Sequence, residues 1–281
     1  MYDVKEKKAQ LEHGSINKGI IAVASGKGGV GKSTVTVNLA TALAELGYKV
    51  GIIDADVRGF SVPRILGVTD KPRAVSEKEI IPPEVNGIKA ISMGSFVGEN
   101  EPVIWRAPLL AGALEQFFKD VRWGELDYML IDLPPGTGDM PLNIMQKVPH
   151  AETLVVTTPQ ITATKVAGRI GAMADKMEHK IIGVVENMAY YKCPECGHKD
   201  YIFGENGGQD LADFMKTELL GQLPLISEVR RRSDSGKPIV FDEPEAEISR
   251  EFIKIAKRLA ERETGFDENV EPLKLNMNPE H

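Results

Sequence analysis

Short apolar runs recur along the chain: GIIAVAS from Gly19, then YKVGIID, GIKAISM, DYMLIDL, TLVVTTP and KIIGVVEN. Each is continuous rather than alternating and rich in β-branched residues, which predicts strands buried on both faces. Between them the spacing turns helical over residues 32–46, with Gly47 placed as a C-cap, over 108–121 and over 162–177. Parallel neighbours need crossover connections. Buried strands separated by helices therefore predict an α/β fold with a doubly wound, mostly parallel sheet flanked by helices.

Ligands in such sheets bind beyond the carboxyl ends of the strands. Here those ends read SGKGG, DAD, DLPPGTGD, TTPQ and ENM, so the chemically unusual residues collect on one edge. No internal repeat, low-complexity segment or interior linker interrupts the pattern. One domain is expected over residues 19–264, with a CxxC loop at 193–196. A polar, flexible arm (1–18, carrying KEKK) precedes it, and a polar tail (265–281) follows.

Composition narrows the partners rather than the fold. With 42% hydrophobic and 27% charged residues the chain of 281 residues is ordinary for a soluble globular protein. A net charge of −7 argues against nucleic acid or an anionic membrane as partner. The run Arg230-Arg231-Arg232 is read as a solvated or salt-bridged helix face. No apolar run approaches the roughly 20 residues of a membrane span. The N-terminus lacks a signal-like apolar core, and the tail FDENVEPLKLNMNPEH is acidic and broken by prolines rather than basic and amphipathic. The expectation is a cytoplasmic protein with no nucleic-acid and no membrane partner.

Gly26, Lys27, Gly28, Gly29, Val30, Gly31, Lys32 and Ser33, followed by Thr34, fit GxxxxGK[ST] between a predicted strand and a predicted helix. Backbone N–H groups of such a loop cradle phosphates, and the helix N-terminus adds positive potential. Lys32 would meet the β- and γ-phosphates of ATP, and the Ser33 hydroxyl would ligate Mg²⁺. Asp132 ends the run YMLID and is placed to hold Mg²⁺ or its water. The following PPGTGD would act as a switch or simply as a turn. Asp54 and Asp56 end the second strand. Asp56 is the candidate to polarise the attacking water, with Asp54 held structurally. Asn187, at the end of KIIGVVEN, offers a donor and an acceptor to an adenine edge, or an Asx-turn.

The chain has only two cysteines, Cys193 and Cys196 in CPECGH. A disulfide closing so small a ring would stabilise little. Two thiolates at this spacing make half a tetrahedral site for an iron–sulfur cluster or for zinc; a thiol redox pair and a zinc knuckle completed by His198 are alternatives. Completing a four-thiolate site requires a second copy, which a symmetric homodimer supplies across its twofold axis. Tyr190, Tyr191, Tyr201 and Phe203 nearby would shield such a site or simply pack.

KGGVGKS with its early Lys27, DADVRGFSVPRILG at 54–67 and DLPPGTGD at 132–139 resemble the deviant P-loop ATPases of the MinD and ParA type. They most resemble the Mrp-type iron–sulfur cluster carriers, over residues 19–258. The resemblance implies ATP hydrolysis in a homodimer, with Lys27 crossing to the phosphates of the partner's nucleotide as an arginine finger does. It supports the adenine role of Asn187. It also implies a [4Fe–4S] cluster bridged by one CxxC from each subunit and passed to recipient apo iron–sulfur proteins. A partitioning or positioning switch of the ParA/MinD kind, and a zinc-stabilised nucleotide-binding scaffold, are the alternatives.

Overall fold

The structure, a computed structural model, describes residues 9–262 apart from 58, 77, 97–106, 137, 139–140, 142–147, 149 and 177–178. The expected tail at 265–281 and Asp139 of the PPGTGD stretch lie outside the described residues.

In chain order the strands are β1 (Ala9–Leu11), β2 (Gly14–Ser25), β3 (Val50–Asp54), β4 (Arg73–Ser76), β5 (Glu79–Ile81), β6 (Glu84–Val85), β7 (Ile88–Ser92), β8 (Gly124–Asp132), β9 (Ala151–Thr157), β10 (Ile181–Glu186), β11 (Tyr191–Lys192), β12 (Lys199–Asp200) and β13 (Leu219–Gln222). The helices are α1 (Lys32–Glu45), α2 (Ser61–Leu66), α3 (Ala107–Asp120), α4 (Ile161–Lys176), α5 (Gly207–Phe214), α6 (Ser227–Asp234), α7 (Ile239–Asp242) and α8 (Glu247–Ala260).

The main sheet runs β13-β10-β9-β2-β8-β3-β7-β6. It is parallel except for the β6–β7 hairpin and for β1, which lies antiparallel on the start of β2. Side chains alternate across each strand, so Ile20, Ala22, Met129 and Ile131 enter one core with α3, α4 and α5. Ile21, Val23, Tyr128 and Leu130 enter the other, with α1, α2, α7 and α8. Both faces being covered explains why the strands read as unbroken apolar runs. The chain leaves β2 towards β3 on one side and returns through β8 to β9 on the other, so the crevice for a ligand opens at the carboxyl end of β2.

One expectation needs correction. The polar segment taken as a flexible arm over 1–18 is ordered into the fold from residue 9. The pairing Ala9↔Ile16 and Leu11↔Gly14 sets β1 against β2, and Ile16 is fully buried. Pairing of β9 with β2 begins only at Ile20, so the first residues of β2 would otherwise present a bare edge, which β1 covers. Three residues of backbone pairing leave no readable hydrophobic period.

Candidate functional site

The turn from β2 into α1 carries the Gly-rich loop. Gly31, the residue before α1, has φ +83°, and a Cβ there would lie 2.2 Å from Asn187 Nδ2, so only glycine fits. A cavity of about 320 Å³ opens over the loop, lined by Lys27, Gly29, Lys32, Ser33, Asp56 and Pro135 among others. Lys32 is 5% exposed, and its Nζ lies 2.7 Å from Asp132 Oδ2 and 3.7 Å from Asp56 Oδ2. Both are ion pairs, and the buried ammonium makes no hydrogen bond among the described residues. A phosphate oxygen in the cavity would satisfy it.

Strand register builds the acidic side of the site. Asp132, Asp54 and Ser92 stand in a row at the ends of β8, β3 and β7, paired Asp54↔Asp132 and Asp54↔Ser92. Asp132 accepts hydrogen bonds from Ser33 Oγ at 2.6 Å and from Thr36 Oγ1 at 2.7 Å. Hydroxyl and carboxylate oxygens together are the donor set a hard cation such as Mg²⁺ takes, so Ser33 and Asp132 fit that role. Bound there, the ion would offset the negative charge of phosphate oxygens in the cavity. Asp54 is fully buried, accepting from the Asp56 N–H and from Ser92 Oγ, each at 3.1 Å. Burial, and next to it the charge of Asp132, push its pKa up to about 8. Of the two aspartates at the end of β3, it is Asp56 that lines the cavity.

A second cavity, of about 450 Å³, adjoins the first and shares Gly31, Thr34, Gly59, Ser61 and Ile65 with it. Asn187 and Met188 line it on one side, and Pro224, Leu225 and Ile226 on another. Its size and mixed lining suit a nucleobase beside the phosphates. Asn187 also ties β10 to the loop, since its Nδ2 donates to the Val30 carbonyl at 2.9 Å. Lys27 donates to Gln160 Oε1 at 2.7 Å.

The thiols sit at the tip of the β11–β12 hairpin, which follows the carboxyl end of β10. The Cys193 N–H donates to the His198 carbonyl and the Gly197 N–H to the Cys193 carbonyl, each at 2.9 Å, closing a tight knuckle. The N–H groups of Cys196 and then of Glu195 point at the Cys193 sulfur and lower its pKa, with the Cys196 thiol adding to the effect. Backbone donors that favour the thiolate form suit a metal ligand. Cys196 is exposed and Cys193 half-buried. Among the described residues no group of three or more His, Cys, Asp or Glu is arranged to hold a metal ion, so the hairpin presents two thiols without a third ligand. Tyr190 and Tyr201 pack edge to face beneath it, and the Lys199 ammonium lies 4.0 Å from the centre of the Tyr190 ring.

The three arginines are engaged with acids. Arg230 meets Asp234, Arg231 meets Glu228, and Arg232 meets Glu228, Asp242 and Glu243. No described helix is long and apolar enough to cross a membrane. Sequence reasoning passed over Thr36 and Gln160. A hydroxyl one helical turn past Lys32 was the available signal for Thr36; for Gln160 it was only the strand-end TTPQ.

A Gly-rich loop between strand and helix, a strand-end aspartate beside the loop serine, and the switch of strand order at β2 define a P-loop nucleotide-binding protein on a MinD/ParA-like sheet. A family profile described as ParA, NUBPL iron-transfer P-loop NTPase, matches residues 16–260, and the chain belongs to that family. It is 50% identical over 236 residues to the iron-sulfur cluster carrier protein of Bacillus subtilis, covering 83% of this chain and 66% of that protein. The iron-sulfur cluster carrier protein of Pyrococcus horikoshii is 47% identical, with 86% of this chain and 85% of that protein covered. The chain thus spans about two thirds of the bacillary relative and more of the archaeal one. Among solved structures, a nucleotide-binding protein from Archaeoglobus fulgidus in complex with ADP aligns with a TM-score of 0.70 at 41% identity, covering 83% of this chain and 90% of that one. MinD of Aquifex aeolicus aligns with 0.64 at 25% identity, covering 87% and 97%.

Proposed function

We propose that this chain is an ATP-hydrolysing carrier of iron–sulfur clusters. It works as a homodimer that holds one [4Fe–4S] cluster between the Cys193 and Cys196 pairs of two copies and passes it to recipient apo-proteins in the cytoplasm. Lys32 and the loop N–H groups bind the phosphates, Asp56 orients water, Lys27 acts on the partner's nucleotide, and Asn187 lies against the base. The observation that carries the reading is the thiol knuckle. It offers half of a tetrahedral ligand set, on a hairpin that begins at Tyr191, shortly after Asn187, the residue bonded to the Gly-rich loop. Membership of an iron-transfer family supports it.

Anaerobic reconstitution, iron and sulfide analysis and sizing test the reading in wild type and in a Cys193→Ala, Cys196→Ala variant. One cluster per dimer is expected in wild type and none in the variant. Uptake of zinc but no cluster by the wild type, or equal iron and sulfide in the variant, would overturn it.

A further inference from the structure

We propose that Gln160 is a positioning residue for Lys27. Its amide oxygen parks the lysine ammonium on the lysine's own chain, and so sets how readily Lys27 leaves for the nucleotide of a second copy. This rests on the trans role of Lys27 stated above.

The contact joins residues 133 positions apart at 2.7 Å, a charge-assisted hydrogen bond in a half-buried setting. Its two ends differ in freedom. The Gln160 carbonyl accepts from the Ala163 and Thr164 N–H groups at 2.8 and 3.1 Å, which caps α4 and fixes the Gln160 backbone. From the other side Pro159 is pressed under Gly207, where an added Cβ would stand 2.3 Å from the Pro159 carbonyl oxygen. Gln160 is thus a post on a fixed loop. Lys27 is a four-carbon side chain on a Gly-rich turn, flanked by Gly26 and Gly28. The Lys27 backbone is held as well, its carbonyl accepting from Ser25 Oγ at 3.1 Å, so the release we propose is a swing of the side chain alone.

A neutral amide suits such a post. It accepts from an ammonium strongly enough to hold it, yet a phosphate oxygen bearing full charge competes better for the same proton. Glutamate at this position would hold the lysine as an ion pair and resist release. Alanine would leave it unparked. Neither substitution touches the capping carbonyl, so α4 keeps its start.

The experiment is steady-state ATP hydrolysis by the full chain with Mg²⁺, over a range of protein concentrations. It compares wild type, Gln160→Ala, Gln160→Glu, Lys27→Ala and the Gln160→Ala, Lys27→Ala double variant, with thermal unfolding of each alongside. Gln160→Glu is expected to lower kcat about tenfold at unchanged KM, in line with a hydrogen bond to a charged group, and added salt should relieve the loss. Gln160→Ala is expected to raise activity at low protein concentration, and to change nothing when Lys27 is already alanine. The proposal is overturned if both Gln160 variants hydrolyse ATP like wild type while Lys27→Ala is impaired, a result that leaves the trans role standing. It is equally overturned if both variants lose activity in step with a fall in Tm, which marks a structural role. Wild-type hydrolysis by Lys27→Ala removes the trans role itself, and the latch with it.

Discussion

At the scale of single residues, the row of strand ends makes Asp54 the group with the most to say about pH. Its carboxyl stands beside that of Asp132 on the adjacent strand and is fully buried, so the folded chain keeps it protonated up to about pH 8, against 3.8 ordinarily. A carboxyl whose pKa is raised on folding stabilises the fold fully below its unfolded value, and that contribution is lost as pH rises through the folded one. The window here runs from about 4 to about 8. In Asp54→Asn the position no longer titrates, and its amide can still accept the Asp56 N–H and face Ser92. Urea unfolding without nucleotide, followed across that window, should show wild type losing stability relative to the variant as pH rises. The steepest loss is roughly 1.4 kcal/mol per pH unit, and parallel curves would mean an ordinary pKa for Asp54. Much of this row was legible, because Ser33, Asp54, Asp56 and Asp132 each stand at a strand end or helix start that the apolar runs mark out. Ser92 was not, since its hydroxyl becomes significant only once strand register sets it opposite a carboxylate, whereas Thr36, one helical turn past Lys32, was there to be found.

At the scale of elements, the loop from Thr158 to Gln160 joins two regions far apart in sequence. Pro159 supports the segment that follows the thiol hairpin, through Gly207 at the start of α5, while Gln160 holds Lys27. Gly207→Ala would drive a methyl group into the Pro159 carbonyl. Because the obstructing atom is backbone, relief requires the loop or α5 to shift, at a cost of about 1–3 kcal/mol, typical of overpacking. The expected result is a lower midpoint of denaturation with unchanged m-value, and the loss should shrink when Pro159 is replaced by Gly; an unaltered midpoint would show that the loop yields freely. The parallel strands and α1, α3 and α4 were readable because each carries its own period or apolar run. Other elements escaped for identifiable reasons. β13 is four residues long and takes its place by pairing with β10, while β11 and β12 are two-residue exposed strands too short to show a period. The helix α8 did carry a signal, with Ile248, Phe252, Ile255, Ala256 and Leu259 buried at helical spacing, and its apolar stripe was there to be counted.

At the scale of the whole molecule, the proposed function gives the phosphate loop and the thiol pair the same requirement: each would be completed by a second copy. Two cysteines supply half a tetrahedral ligand set, and Lys27, which lines the cavity beside Lys32, donates its ammonium hydrogen bond to Gln160. Either half-site alone would permit a monomer with an accessory partner. The proposed dimer requires a twofold axis that brings both pairs together at once. Mixing complementary lesions tests this. If the active site takes Asp56 from one chain and Lys27 from the other, a heterodimer of Lys27→Ala with Asp56→Ala concentrates both lesions in one site and leaves the second whole. Random exchange makes half of the dimers mixed, each with one working site of two, so about a quarter of wild-type hydrolysis should return. The readout is ATP turnover after mixing two nearly inactive preparations, with subunit exchange followed by tagged copies. Under cis action every site in the mixed dimer carries one lesion, and no activity returns however complete the exchange. Recovery would therefore locate Lys27 in the partner's site, and its absence despite exchange would place hydrolysis within a single chain.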